Sequence, residues 1–169
     1  MKICIWGLTG SGKTRLGDEL SKALSIDHVG PTYKSSAGND AGLIKMLGKV
    51  TPKYIKDFDK GIVRQSRGRD CVITTWHAPW VVKDATLRVW LNVGEAERAK
   101  RISISKKESI RYATRYVREK DARSLAQYKR AYGREMDYSV FDMKLNYERV
   151  TIPEAVSIIS MVARSRDGQ

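Results

Sequence analysis

The chain has 169 residues, with 32 Lys and Arg against 19 Asp and Glu, a formal net charge of +13. A chain of this length buries about 70% of its unfolded surface, so residues 1–169 are expected to form one domain with its own core. No apolar run approaches the ~20 residues of a membrane span and the first residues lack a signal-peptide pattern, so a soluble, cytoplasmic protein with no membrane partner is expected.

The first element is Lys2–Trp6 (KICIW), a short apolar run that reads as a buried strand. It leads into Gly7-Leu8-Thr9-Gly10-Ser11-Gly12-Lys13-Thr14, which fits the phosphate-binding pattern Gly-x-x-x-x-Gly-Lys-[Ser/Thr]. Glycines let backbone amides approach phosphate oxygens, and the N-terminus of the helix that follows adds unpaired N–H groups and positive dipole. In such a loop Lys13 spans the β- and γ-phosphates of ATP and the Thr14 hydroxyl sits on Mg²⁺. The helix after it is signalled by Leu16, Leu20, Ala23 and Leu24, which share one face.

Ile26–Val29 reads as a second strand, broken by Gly30-Pro31. From Thr32 to about Arg67 the pattern is helical but weakly apolar, with Gly38, Gly42, Gly48 and Thr51-Pro52 as interruptions; two or three short helices fit it. Asp70–Thr75 is a third, central strand, running into Trp76-His77-Ala78-Pro79-Trp80 at the end where open α/β sheets bind ligands. Trp76 and Trp80 fit loop packing and ligand contact equally well. Ala85–Val93 reads as a fourth strand closed by Gly94. A helix follows from Glu95 to about Ile104 with Ala96, Ala99 and Ile102 inward, and Ser105-x-x-Glu108 suggests a capping box for the next. Cys4 and Cys71 lie in strand-like runs and read as buried free thiols.

Between Arg98 and Arg134 stand thirteen Lys and Arg against three acidic residues, a net +10. Arg111, Arg115 and Arg118 fall on one helical face, Arg123 and Arg130 follow, and tyrosines 112, 116, 128 and 132 interleave. One sign dominates and arginine outnumbers lysine, which favours fork-like phosphate recognition. Gly133 ends this helix. Phe141–Asn146 reads as a fifth strand. Thr151-Ile152-Pro153-Glu154 is a capping box opening a last helix with Ile152, Val156, Ile159, Val162 and Ala163 on one face, frayed over the last residues from Arg164.

Over nearly its whole length the chain resembles the nucleoside monophosphate kinases, and most of all the archaeal type of cytidylate kinase. Besides the glycine loop, the resemblance is carried by Val89-Trp90-Leu91 with Glu95-x-x-Arg98-Ala99-x-Arg101-Ile102, then Arg118-Glu119, Tyr132-Gly133 and Asp137-Tyr138-Ser139-Val140-Phe141-Asp142. It implies a P-loop three-layer α/β/α fold with a five-stranded parallel sheet, a helical acceptor-binding insert at about 32–67 and an arginine-rich lid at about 105–132. The implied reaction passes the γ-phosphoryl of ATP, with Mg²⁺, to CMP or dCMP. The implied roles are Lys13, Arg115, Arg118 and Arg123 on the transferring phosphoryl group, Gly7–Thr14 and Arg101 on ATP, and Lys34, His77, Arg130 and Asp142 on the acceptor. Thr75-Trp76-His77 stands where the family has an acid followed by Gly-Arg, and Lys34 stands for an arginine, so the acceptor side departs from the pattern. Two alternatives stay open: a P-loop kinase for another small acceptor, and a P-loop ATPase or nucleotide-binding module acting on RNA or a ribosomal particle. Nucleotides are the expected partners, with RNA less favoured, in a monomer or homodimer.

Overall fold

The computed structural model describes residues 1–30 and 50–167. Five strands form one parallel sheet: β1 (Lys2–Trp6), β2 (Asp27–Val29), β3 (Cys71–Ile73), β4 (Leu87–Asn92) and β5 (Met143–Asn146), in the order β2-β3-β1-β4-β5. The described helices are α1 (Lys13–Leu24), α2 (Pro52–Ser66), a single turn α3 (Ala78–Val81), α4 (Glu95–Lys106), α5 (Ile110–Tyr132) and α6 (Ile152–Asp167). The five-stranded parallel sheet is the one the sequence implied, and β1 sits at its centre. β3 is shorter than its apolar text: Thr74 N–H makes a last bond to Val29 O at 3.0 Å, and Thr75 begins the turn that follows.

Alternation along β1 divides the core. Ile3 and Ile5 face α1 and α6 with Leu16, Leu20, Ala155 and Ile159, all fully buried. Cys4 faces the other layer with Ile62, Cys71 and Ile73. Trp6, also on that side, is the hub of an aromatic cluster: its ring lies 5.6 Å from Trp76, 5.6 Å from Trp80 and 5.7 Å from Trp90, edge-on in each case. Trp80 is anchored by donating from Nε1 to the Asp137 carbonyl at 2.8 Å. Trp76 and Trp80 are thus engaged in packing. Cys4 and Cys71 are free and buried, as expected of them.

Several boundaries correct the sequence reading. α4 continues to Lys106, and Ser105 bonds back to Ile102; the cap of α5 is Ser109, whose hydroxyl accepts from Tyr112 N–H at 3.2 Å. The turn between the two helices is made by Lys107 at φ 55°, a left-handed conformation that a Ser-x-x-Glu box would not supply. Ala23 and Ala96 are exposed, and Arg98 takes the inward position expected of Ala96. α6 runs on to Asp167, which pairs with the Met1 amino group at 2.9 Å. The Thr151–Glu154 box forms as read, with Thr151 N–H donating to Glu154 at 2.8 Å. In the second half of the expected insert, Thr51 caps a single helix α2 with Pro52 in its first turn; Lys34 and the three interrupting glycines lie outside the described residues.

Candidate active site at the phosphate loop

The loop leaves the C-terminal end of the central strand and turns directly into α1. Ser11 N–H donates to Leu8 O at 3.0 Å, closing a turn with Thr9 and Gly10 at its centre. Gly10 has φ +82° while Thr9 is not left-handed, the combination of a type II turn. Gly12, at φ +91°, is the N-cap of α1 and supplies no side-chain cap to the helix's first N–H groups. A Cβ at Gly12 would lie 3.2 Å from the Tyr147 ring, so the glycine also admits the close approach of that tyrosine.

These residues fit a polyphosphate. The uncapped N-terminus of α1 presents N–H groups and positive dipole to an anion. The buried hydroxyls Thr9 Oγ1, Ser11 Oγ and Thr75 Oγ1 have no hydrogen-bond partner among the described residues. Thr14 is the residue that would carry Mg²⁺. Among the described residues no group of three or more His, Cys, Asp or Glu side chains is placed to hold a metal.

Side chains from α4 and α5 brace the loop. Arg98, only 5% exposed, donates from Nη1 to Thr9 O at 2.9 Å and to Asp121 Oδ2 at 2.7 Å, and from Nε to Val93 O at 3.1 Å. Asp121, on α5, accepts the Thr9 N–H at 2.8 Å with its other oxygen. Arg101 donates to Ser11 O at 3.1 Å and to Tyr147 O at 2.9 Å, pairs with Glu97 and lies over the Tyr147 ring. Burial raises the Tyr147 hydroxyl above its ordinary value, leaving that ring neutral beneath Arg101. Neither Arg98 nor Asp121 was assigned a role from the sequence. The signals for them were Arg98 inside the motif that carried the resemblance and Asp121 as one of three acids in a strongly basic stretch.

The remaining arginines are spread along α5. Arg111, Arg115 and Arg118 share one face as expected, and with Thr114 and Glu119 they line an open groove of about 490 Å³ on the exposed side of the helix. Arg118 donates from Nε and Nη2 to one Glu95 oxygen at 2.9 and 2.6 Å, which holds the Glu95 carboxyl below its ordinary value. Arg115 lies over the Tyr112 ring. Arg123 is half-buried and Arg130 exposed on the same helix.

At the end of β3, His77 is buried and its Nδ1 lies 2.9 Å from Asp59 Oδ2 on α2. Tyr132, at the end of α5, donates to the same oxygen at 2.6 Å, and the His77 ring packs edge-on against Tyr128 and Tyr132. This trio, with His77 and Asp59 buried and Tyr132 partly so, joins three separate parts of the chain. Asp59 was missed in the sequence, although it falls on the apolar face of α2 with Ile55 and Ile62. Asp142, expected on the acceptor, is placed elsewhere. Its carboxylate accepts from Arg88 N–H at 2.7 Å and pairs with Arg166 at 2.8 Å, at the N-terminal start of β5, the end of the sheet opposite the loop. With both oxygens engaged in joining β4, β5 and α6, it has a structural part.

Comparison with known proteins agrees with this geometry. Residues 31–149 match the profile of the cytidylate kinase-like family. A cytidylate kinase of Pyrobaculum neutrophilum is 28% identical over 163 residues, 92% of this chain and 89% of its own. Among solved structures, the deoxyadenosine kinase of M. mycoides with bound dATP superposes with a TM-score of 0.65 at 15% identity, covering 95% of this chain and 98% of that one. A gluconokinase of Sinorhizobium meliloti gives 0.66 at 13%, covering 99% and 94%. The two structures share the fold. The chain belongs to the cytidylate kinase-like family and has the P-loop kinase architecture.

Proposed function

We propose that this member of the cytidylate kinase-like family transfers the γ-phosphoryl group of ATP to a nucleoside monophosphate, CMP or dCMP. The observation that carries the reading is the glycine loop itself, a left-handed Gly12 at the uncapped start of α1, with the Thr9 and Ser11 hydroxyls unpartnered among the described residues. When bound, Mg²⁺ supplies divalent charge to screen the phosphates. The rest is positioning and electrostatics. Lys13 and the first N–H groups of α1 hold the phosphate charge, Thr14 offers its hydroxyl to the cation, and Arg101 stands beside the loop toward the base. Arg115, Arg118 and Arg123 act on the transferring group. To do so Arg118 has to exchange Glu95 for a phosphate, which a movement of the first half of α5 about Lys107 would permit. Arg130 and Lys34 remain the proposed acceptor contacts, with His77 through its Nε2 edge.

ATP consumption with a panel of monophosphates tests this. ADP formation that depends on CMP or dCMP supports it, and turnover indifferent to any acceptor sinks it in favour of the ATPase reading. A second reading, a P-loop kinase for a different small acceptor, is favoured by one observation. The corner where the family pattern has an arginine holds a His77 already bound to a buried Asp59. Turnover with a non-nucleotide hydroxyl compound, and none with CMP, would select it.

A further inference from the structure

We infer that Arg98 and Asp121 are positioning residues that set the peptide orientation of the phosphate loop and make it depend on how α5 is seated. The inference rests on the kinase reading only for the consequence to ATP.

A type II turn and a type I turn differ mainly by a flip of the central peptide, here Thr9–Gly10. The flip exchanges the directions of Thr9 C=O and Gly10 N–H, which point opposite ways in a trans peptide. Arg98 Nη1, at 2.9 Å, holds the carbonyl toward α4. Gly10 N–H is therefore turned away from α4. The alternative orientation would leave a buried guanidinium facing an N–H. The turn also packs on α4: a Cβ at Gly10 would lie 2.8 Å from Arg98 O and 3.1 Å from Ile102 Cγ1.

Asp121 fixes the other side of the same residue. One oxygen accepts Thr9 N–H and the other accepts from Arg98, so a single carboxylate closes a ring through Thr9, Arg98 and itself. All three are buried, Thr9 at 3%, Arg98 at 5% and Asp121 at 7% exposed. Charge-assisted hydrogen bonds in such surroundings are strong and geometrically demanding. Asp121 belongs to α5, the helix that also carries the arginine face. A displacement of its middle turn would remove the acceptor from Thr9 N–H and the counter-charge from Arg98 together. The loop's cradle and the seat of α5 are thereby one coupled unit.

Three variants test this: Asp121→Ala, Asp121→Glu and Arg98→Lys. Amide exchange at Thr9, read by NMR without nucleotide, should be fast in Asp121→Ala and slow in the wild type. ATP–Mg²⁺ affinity should fall about tenfold to a hundredfold, the range for losing a hydrogen bond to a charged group, while CMP affinity stays within about twofold. Asp121→Glu, which keeps the carboxylate, should recover part of both. Arg98→Lys keeps the charge but not the fork and should behave like Asp121→Ala. Wild-type protection of Thr9 in a folded Asp121→Ala, or equal weakening of ATP and CMP, overturns the assignment. If Asp121→Ala does not fold, Asp121→Leu, which likewise offers no acceptor to Thr9 N–H, decides by the same two readouts. A wild-type chain that does not bind ATP would sink the kinase reading alone, because the exchange comparison needs no nucleotide.

Discussion

On the phosphate loop, the buried hydroxyls of Thr9 and Ser11 have no partner among the described residues, and the N-terminus of α1 has no side-chain cap. In the turn after β3, by contrast, the buried His77 and Asp59 and the partly buried Tyr132 are bonded to one another. Buried polar groups without a partner cost stability, and two of the five such side-chain atoms among the described residues lie on the loop itself, which fits a place where a polar ligand completes the structure. The corner instead joins α2, the turn after β3 and α5. The lesson is that a position matched to a binding residue by sequence can be committed to holding elements together.

The largest expected effect tests the loop side of that contrast. Lys13→Ala should lower phosphoryl transfer by ~10³-fold or more while the melting temperature stays close to wild type; wild-type turnover in this variant would remove the loop from the chemistry. Arg118→Ala should cost ~10²-fold in kcat by analogy with the loss of one preorganised charge donor. The partner it loses in the resting structure is Glu95 on the surface, so stability should not change, and a variant with unaltered kcat would confine Arg118 to that surface pair.

The corner should respond in the opposite sense. Asp59→Ala should cost about 1–3 kcal/mol of stability, because it removes the carboxylate that the buried His77 Nδ1 faces. Its ATP affinity should be nearly unchanged. A raised KM for the acceptor in a fully stable His77→Gln would instead show that His77 binds substrate, and would erase the distinction drawn between the two regions.

The smallest effect concerns the core beneath both. Burial pushes the Cys4 thiol up to about 12 and raises Cys71 as well. The folded protein keeps a proton that the unfolded chain releases near the ordinary thiol value of about 8.5. The contribution to stability is thus complete below that pH and is lost as pH climbs toward about 12. Cys4→Ala should flatten the alkaline limb of a stability–pH curve, and an unchanged limb would argue against a desolvated thiol.

The sheet was legible because its signals are local: apolar strand runs, a glycine loop, helix periodicity and caps such as Thr151–Glu154. The loop side of the site was legible for the same reason. What the text hid are partnerships between distant positions. Asp121 and Thr9 are 112 residues apart, and Tyr132 and Asp59 are 73. Nothing in the local text of α5 separates an acid that balances charge on the surface from one buried against a turn. The outward placement of Arg111 and Arg115 was hidden likewise, since one face of a helix can be read from spacing but not which neighbour it meets. Asp142 misled because its motif neighbours are real while its own contacts run to Arg88 and Arg166.

All four tryptophans of the chain, Trp6, Trp76, Trp80 and Trp90, belong to the one cluster under the loop. Optically the protein therefore has a single composite indole chromophore, whose members are close enough to exchange excitation, and whose hub is covalently next to Gly7. Indole emission excited at the red edge, where tyrosine does not absorb, reports on this locus, a native label for following nucleotide engagement without any dye.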